Sequence, residues 1–232
     1  MPVITINGPV GSGPIEVGQM VAQLLNINYV DRMVFAEAAK LIGSPVGALI
    51  EKEQKVVRFR EKMGRFLQTM LERSAISGVS GEPYFGRGIE MLPAETYTEL
   101  AGEPSPSQNV NDKAFIEATS SVIRDLARAG DVVIIGRGSN IILADTPGVI
   151  HIGLVAPLDV RANNLMRREN LSREEAAAYG EELEQARVTF YRKFFKVSPY
   201  DPALYHAVLN MGMLQQKTAA EIITHAAGDI SY

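Results

Sequence analysis

The sequence predicts an α/β protein built on a parallel sheet, and two patterns carry that prediction. Short apolar runs alternate along the chain with amphipathic segments of helical length, which is typical of parallel strands buried on both faces. A glycine-rich turn from Gly8 to Gly13 joins the first strand to the first helix, as in a βαβ unit. Five strand signals occur in all, and a mostly helical insertion at about 33–112 separates the second from the third.

Composition limits the classes of protein to consider. The 232 residues are 46% hydrophobic and 22% charged, which suits a folded protein with its own core. The lack of cysteine excludes disulfides, thiolate zinc sites and iron–sulfur clusters. A net charge of −4 lacks the basic excess of duplex-binding proteins. No apolar run approaches the roughly 18 residues of a membrane helix, and the N-terminus shows no basic leader. We therefore expect a cytoplasmic protein that binds neither nucleic acid nor membrane.

The N-terminal segment predicts a strand, a helix and a second strand. Residues Val3 to Asn7 are mostly β-branched and end at Gly8, as a short buried strand does. Apolar residues at helical spacing between Val17 and Leu25 predict the following helix. Tyr29-Val30 reads as the next strand, which Asp31 ends.

The insertion reads as helices followed by an irregular stretch. Residues 33–42 and 46–73 have helical composition, and apolar residues from Val56 to Met70 step by three and four. This seam packs either within the insertion or against a second copy, and we expect a homodimer. Residues 74–110, rich in Gly, Ser and Pro, predict a loop or lid.

The C-terminal half resumes the alternation of helices and strands. The signals predict a helix over 113–129 capped by Asn111-Asp112, strands at 132–135 and 149–155, a helix from Leu158, a helix opened by the Ser172/Glu175 capping box and reaching Phe195, a strand over 205–209 and a helix over 216–226. The three histidines are isolated and show no metal-ligand spacing.

The turn after the first strand matches half of a phosphate-binding signature. Gly8 and Gly13 fit the glycines of G-x-x-x-x-G-K-[ST], but Pro14 and Ile15 replace the lysine and the hydroxyl residue. Glu16 suits the positive end of the helix dipole but repels phosphate. The residues alone leave two interpretations open: an anion-binding loop that has lost its lysine, or a turn without a ligand.

A dinucleotide-binding loop is a third interpretation. Gly11 and Gly13 fit G-x-G-x-x-G, and Asp31 follows at the spacing of a ribose-binding acid. Glu16 replaces the third glycine, and the long insertion interrupts the expected strand succession.

Taken together, four passages resemble the cytidylate kinase-like family of P-loop nucleoside monophosphate kinases. The passages are Ile4-Thr5-Ile6-Asn7-Gly8-Pro9 with Gly11-Ser12-Gly13, Tyr29-Val30-Asp31-Arg32, Val133-Ile134-Ile135-Gly136-Arg137-Gly138, and Val155-Ala156-Pro157 with Arg161, Arg187, Tyr191, Arg192 and 205–210. The resemblance implies a three-layer P-loop NTPase-type fold with a five-stranded parallel sheet. It also implies a core of 1–32 and 113–232, a helical lid at about 165–200, and an acceptor-binding insertion at 33–112.

The resemblance further implies Mg²⁺-assisted phosphoryl transfer from ATP to a pyrimidine nucleoside monophosphate. Arg137 would contact the acceptor, while Arg187 and Arg192 would neutralise charge during transfer. The donor phosphates would lie on Gly8, Gly11, Ser12, Gly13 and Arg161, and Asp31 would hold Mg²⁺ or pair with Arg32. Each arginine considered by itself is also consistent with an ordinary charged residue at the solvated surface.

Three functions remain open from the sequence. The chain is a nucleoside monophosphate kinase, or a relative that binds a nucleotide or another small phosphorylated ligand without turnover, or a dinucleotide-binding or ligand-free module. Gly138 stands where the resemblance leads one to expect an acidic residue, so recognition of the acceptor base is expected to differ.

Overall fold

A computed structural model describes residues 2–31 and 106–229 of the chain. The elements in chain order are β1 (Val3–Asn7), α1 (Pro14–Leu25), β2 (Asn28–Val30), α2 (Pro106–Ala129), β3 (Val132–Ile135), α3 (Ser139–Ile142), β4 (Val149–Val155), α4 (Leu158–Glu169), α5 (Arg173–Phe195), a 3₁₀ turn (Pro202–Leu204), β5 (Ala207–Asn210) and α6 (Gln216–Asp229). They confirm the predicted α/β class with its five parallel strands.

The sheet is ordered β2-β3-β1-β4-β5, and every pairing is parallel. Strand β1 lies at the centre, where Val3 stands opposite Val132 on one side and Val149 on the other. All five residues of β1 are buried, as expected for a β-branched run covered on both faces. The order differs from the 3-2-1-4-5-6 arrangement of dinucleotide-binding folds.

Two apolar clusters cover the two faces of the sheet and complete the three layers. On one face, α1 and α6 pack against Ile4, Ile6 and their neighbours in β3 and β4. On the other, α2 and Leu143 just after α3 pack against Val3, Val30 and Ile134. None of the helices in the described residues is long and apolar enough to cross a membrane.

The largest difference from the sequence-based prediction is the start of α2. The helix begins at Pro106, so the predicted start at Lys113 is wrong and the predicted loop over 74–110 is wrong for its last five residues. Proline is well suited to the first helical turn because its missing N–H is not needed there. Asn111 and Asp112 lie inside the helix instead of capping it. The seam from Val56 to Met70 and the rest of the insertion lie outside the described residues.

Smaller differences concern short elements. Neither α3 nor the 3₁₀ turn was predicted, since four and three residues are too few to show a period. Strand β5 begins at Ala207 and not at Tyr205. The capping box forms as predicted: Ser172 accepts from the Glu175 N–H and Glu175 accepts from the Ser172 N–H.

A buried histidine joins β4 to its neighbours. The Thr5 hydroxyl lies 2.8 Å from His151 Nδ1, and the His151 N–H donates to Nδ1 of His206. Burial, followed by the nearby His206, lowers the pKa of His151 to about 4, while a backbone hydrogen bond at Leu143 opposes the shift. The ring is therefore neutral in the folded protein at physiological pH.

We predict that His151 makes folding stability depend on pH. Because its folded pKa lies below the unfolded value of 6.5, its contribution is complete above pH 6.5 and is lost as pH falls toward 4. Urea unfolding should show the wild type losing on the order of 2 kcal/mol more than His151→Leu over this range. The exposed His225 provides the control, and His225→Gln should keep the wild-type slope; a His151→Leu slope equal to the wild type would contradict the prediction.

Candidate phosphate-binding site

A pocket of about 100 Å³ lies where β1 and β3 end, beside the turn that enters α1. Ligands of open α/β sheets bind at these carboxyl ends. The pocket is lined by Ile6, Asn7, Gly8, Pro9, Val10, Gly11, Pro14, Ile15, Asp31, Ile135, Gly136, Arg137, Arg168, Leu183, Arg187 and Tyr191. We call it the loop pocket.

The turn requires glycine at the positions that the sequence marked. A Cβ on Gly11, whose φ is +83°, would lie 2.6 Å from the carbonyl oxygen of Arg161. A Cβ on Gly8 would lie 2.9 Å from the carbonyl oxygen of Leu154. Gly13 takes a φ of +91° as the residue that precedes α1. The glycines thus let the loop pass close under α4 and β4.

Two side chains of helix α4 hold this loop by donating to backbone carbonyl groups of the loop. Arg161 Nε donates to the Val10 carbonyl at 2.7 Å, and Asn164 Nδ2 donates to the Gly11 carbonyl at 2.9 Å. Among the described residues, the amides of Gly11 and Gly13 have no acceptor. Such amides are the donors that a loop of this kind offers to an anion.

A carboxylate already occupies the first amide of the loop. The Val10 N–H donates to Glu184 Oε2 at 2.8 Å, and Arg187 donates to both oxygens of Glu184 at 2.7–3.1 Å. Tyr200 donates its hydroxyl to the same carboxylate. Burial alone would raise the pKa of Glu184, but the hydrogen bonds and charge of Arg187 outweigh it and lower that pKa. The carboxylate is therefore ionised at neutral pH.

Three guanidinium groups line the loop pocket, from Arg137, Arg168 and Arg187. Arg168 also lies 2.7 Å from Glu169 and 4.0 Å from Glu16, so it offsets the carboxylate that the sequence places in the first turn of α1. Arg187 is buried, and although burial opposes its charge, the hydrogen bonds to Glu184 raise its pKa above the ordinary value. Arg137, Arg168, Arg187 and the Asp31 carboxylate thus line the pocket, with Glu184 paired to Arg187 and Glu169 paired to Arg168.

The backbone that presents Arg137 is strained. Gly136, Arg137 and Gly138 all lie in the left-handed region, with φ values of 71°, 59° and 68°. This conformation costs a residue with a Cβ about 1–2 kcal/mol of conformational energy, whereas glycine adopts it without that cost. This turn lies at the end of β3 and carries Arg137 to the loop pocket, which that residue lines.

Asn7 and Arg187, which line the loop pocket, each have a buried donor atom without an acceptor among the described residues. The two atoms are Asn7 Nδ2 and Arg187 Nη1, and both side chains are more than nine-tenths buried by residue exposure, at 2% and 8%. The Tyr191 hydroxyl lies 3.0 Å from Asn7 Oδ1 and 3.2 Å from Asn140 Oδ1, and so fixes the Asn7 amide. Buried donors without an acceptor are rare, and an anion in the pocket would satisfy them.

The structure brings some of the predicted site residues together and separates others. Gly8, Gly11, Asp31, Arg137 and Arg187 line the loop pocket. Arg161 supports the loop from outside it. Arg192 is exposed on another face of α5, where it lines a separate cavity.

Ser12 and Gly13 shape the loop but do not line the pocket. The Ser12 hydroxyl is buried and donates to the Pro9 carbonyl at 2.7 Å, which uses the proton of the group that the sequence offered to phosphate. Gly13 serves through its left-handed backbone.

Sequence reasoning missed Asn7, Glu184 and the position of Arg168 in the pocket. Asn7 directly precedes the glycine turn, and Glu184 precedes Arg187 by three residues, which is the spacing of a helical ion pair. These two local signals could have found the first two residues. Nothing local distinguishes Arg168 from the exposed Arg167 beside it.

The described residues offer no ready-made metal cage. No group of three or more acidic or histidine side chains lies close enough among them to hold a metal ion. Asp31 is buried at the pocket, where the Tyr29 hydroxyl donates to its carboxylate at 3.0 Å.

Comparison with known proteins gives a family match over most of the chain. The model of the cytidylate kinase-like family matches residues 3–213. A cytidylate kinase from Methanopyrus kandleri is 30% identical over 111 residues, which cover 44% of this chain and 58% of the relative's length.

Solved structures show a similar fold at low sequence identity. An uncharacterized protein from Eubacterium ventriosum has a TM-score of 0.61 at 17% identity, and shikimate kinase from Bacteroides thetaiotaomicron has 0.50 at 15%; each match covers 98% of both chains. At these identities the likeness supports the fold alone, which is that of P-loop kinases.

We predict that two variants of Arg137 separate strain from binding. Arg137→Gly and Arg137→Ala both remove the guanidinium and should weaken pyrophosphate binding, measured by calorimetry, by at least tenfold. Because only the alanine keeps a Cβ at positive φ, the glycine variant should be more stable by about 1 kcal/mol in urea unfolding. Equal stability of the two variants would show that the backbone at 137 is not strained.

Proposed function

The chain belongs to the cytidylate kinase-like family, and we propose that it transfers a phosphoryl group from ATP to a nucleoside monophosphate. The observation that carries this proposal is the loop pocket itself. There the glycine turn after β1 meets three arginines and two buried donors that lack an acceptor among the described residues. This set of donors suits a polyphosphate better than a neutral ligand.

Phosphoryl transfer asks a protein mainly for positioning and for positive charge near the transferred group. The loop has Pro14 where related loops carry lysine, so it lacks that charge and one backbone donor. Arg168 lines the same pocket as Pro14 and carries the positive charge that the missing lysine would have supplied. Its planar guanidinium can bind two phosphate oxygens at once. We assign the compensating charge to Arg168, with Arg187 and Arg137 as the other arginines that line the pocket.

The residues present fit a magnesium nucleotide with one protein carboxylate. Magnesium in kinases is held by one or two carboxylates together with the phosphates, and Asp31 lines the pocket with its carboxylate. When bound, the ion offsets negative charge on the phosphate oxygens. Asp31 would hold it, Gly11 and Asn7 Nδ2 would donate to phosphate from the pocket lining, and the Gly13 amide would donate to phosphate that extends along the turn toward α1.

We expect the protein to discriminate only weakly between acceptor bases. The acidic residue that the family resemblance suggests after Gly-Arg is replaced by Gly138, where a Cβ would take a φ of +68° and would require the Phe195 ring to move. Without a carboxylate at that position, the exocyclic amine of cytosine loses a natural acceptor. We therefore propose a nucleoside monophosphate acceptor with weak preference between cytosine and uracil.

Several finer features of the proposal rest on the family relationship. We propose that 33–112 binds the acceptor, that about 165–200 acts as a lid, and that Arg192 and Arg161 belong to the lid side. We also propose that the protein works in the cytoplasm, and that the seam from Val56 to Met70 supports a homodimer.

A second candidate is nucleotide binding without turnover. Pro14 and the Glu184 carboxylate on the Val10 amide both favour it, since each reduces what the loop offers to the donor phosphates. The two candidates differ in turnover and not in the ligand.

We predict that ADP forms from Mg-ATP only when an acceptor is added, across a panel of CMP, dCMP, UMP and AMP. CMP and UMP should differ by less than about tenfold in kcat/KM, because no carboxylate stands at 138. Arg168→Met should lower kcat/KM by about 10²–10³, as loss of one charge-stabilising donor does.

The exposed Arg128 gives a control, because it pairs with Asp125 at the end of α2 that precedes β3 and does not line the loop pocket. Arg128→Met should retain wild-type activity. A nucleotide-dependent rise in melting temperature without ADP formation would establish the binding-only candidate. The absence of both effects would refute the proposed function.

A further inference from the structure

The carboxylate of Glu184 is bound by the same groups that a phosphate would need. Its Oε2 accepts from the Val10 N–H at 2.8 Å, and both of its oxygens accept from Arg187. Val10 and Arg187 both line the loop pocket, and Arg187 Nη1 has no acceptor in the described part of the chain. A side chain of this protein thus occupies one loop amide and most of one guanidinium, both from residues that line the pocket.

Space for this carboxylate to move lies on its other side. A cavity of about 590 Å³ between α4 and α5 is lined by Glu184, Val10 and Tyr200, and also by Arg161. Arg161 Nη2 lies 3.8 Å from Glu184 Oε2, which is a loose ion pair compared with the 2.7 Å contact to Arg187. A small rotation into the cavity would exchange the tight pair with Arg187 for a tighter one with Arg161.

We propose that Glu184 is a displaceable internal occupant of the phosphate-binding loop. In the ligand-free protein it holds the Val10 amide and Arg187, and an incoming polyphosphate takes both while the carboxylate turns toward Arg161. This inference rests on the proposed function in one respect, since it requires the loop to bind a polyphosphate.

The balance of charges makes the exchange physically reasonable. A buried guanidinium without a partner is costly, so Glu184 keeps Arg187 ordered and neutralised before a ligand arrives. A polyphosphate carries more charge than one carboxylate and can also reach Arg137 and Arg168, which line the same pocket. The carboxylate therefore lowers affinity for weak monoanions more than for polyphosphates, and acts as a selectivity element.

The test compares Glu184→Gln with Glu182→Gln by calorimetry with pyrophosphate and with ATP. Glutamine keeps the shape at 184 and can still accept from the Val10 N–H, but it removes the competing charge. Glu182 is exposed on the same helix, so its variant makes the same charge change away from the loop. Glu184→Gln should bind pyrophosphate on the order of tenfold more tightly than wild type, whereas Glu182→Gln should not.

A second measurement needs no variant at position 184. Labelling with ¹³C-proline and ¹⁵N-valine selects the three valine amides that follow a proline, those of Val3, Val10 and Val46. The variant Val10→Ile identifies which signal belongs to Val10. Pyrophosphate should shift the Val10 amide of the wild-type protein, because its acceptor changes from carboxylate to phosphate. The Val3 amide lies at the far end of β1 and should stay in place.

The outcomes separate this inference from the proposed function. Tighter binding by Glu184→Gln, or binding by that variant alone, supports displacement. Equal or weaker binding by Glu184→Gln, or pyrophosphate binding with an unmoved Val10 amide, overturns it and leaves the proposed function standing. If no form binds pyrophosphate or ATP, both fail.

Discussion

The hydrogen bond between the Val10 amide and the Glu184 carboxylate connects the two halves of the site. It joins a loop near the N-terminus to helix α5, across 174 positions of sequence. Through the same carboxylate, α5 also fixes Arg187, which lines the loop pocket. Burial makes this arrangement strict, because a buried carboxylate or guanidinium that loses its partner costs several kcal/mol. The positions of the loop, α4 and α5 are therefore coupled through one charged group.

Around that link, the loop keeps the shape of a phosphate-binding turn while its charge comes from elsewhere. The glycines are required by close approaches to backbone carbonyls, as at Gly11 under Arg161, and not only by a ligand. In related loops the cationic group is a lysine of the loop itself. In this chain the cationic groups come from the turn after β3, from α4 and from α5. A phosphate site can be assembled in this way because Coulomb attraction depends on distance and burial, and not on which element carries the charge.

The end of β3 shows a similar division between backbone and side chain. Three consecutive left-handed residues place Arg137 at the pocket, and the flanking glycines take that conformation without a Cβ penalty. Gly138 has a further constraint, since Phe195 of α5 fills the space where a side chain would lie. Packing between α5 and this turn thus favours glycine at position 138.

Local sequence determined the class of fold, the glycine turn and most element positions, because these depend on periodicity and on residues near in the chain. The runs Val132–Ile135 and Val149–Val155 read as buried strands, and the Ser172/Glu175 capping box marked α5, as the structure confirms. Local patterns failed at Pro106, where a helix begins within a stretch whose composition resembles a loop. The set of arginines that share a pocket depends on the folded chain and not on local sequence. Arg168 lines the pocket, whereas its neighbour Arg167 is exposed. Arg187 and Arg192 lie on different faces of α5. The identity of Glu184 as the partner of the loop was likewise decided in three dimensions, because a contact between distant positions leaves no period or spacing in the chain.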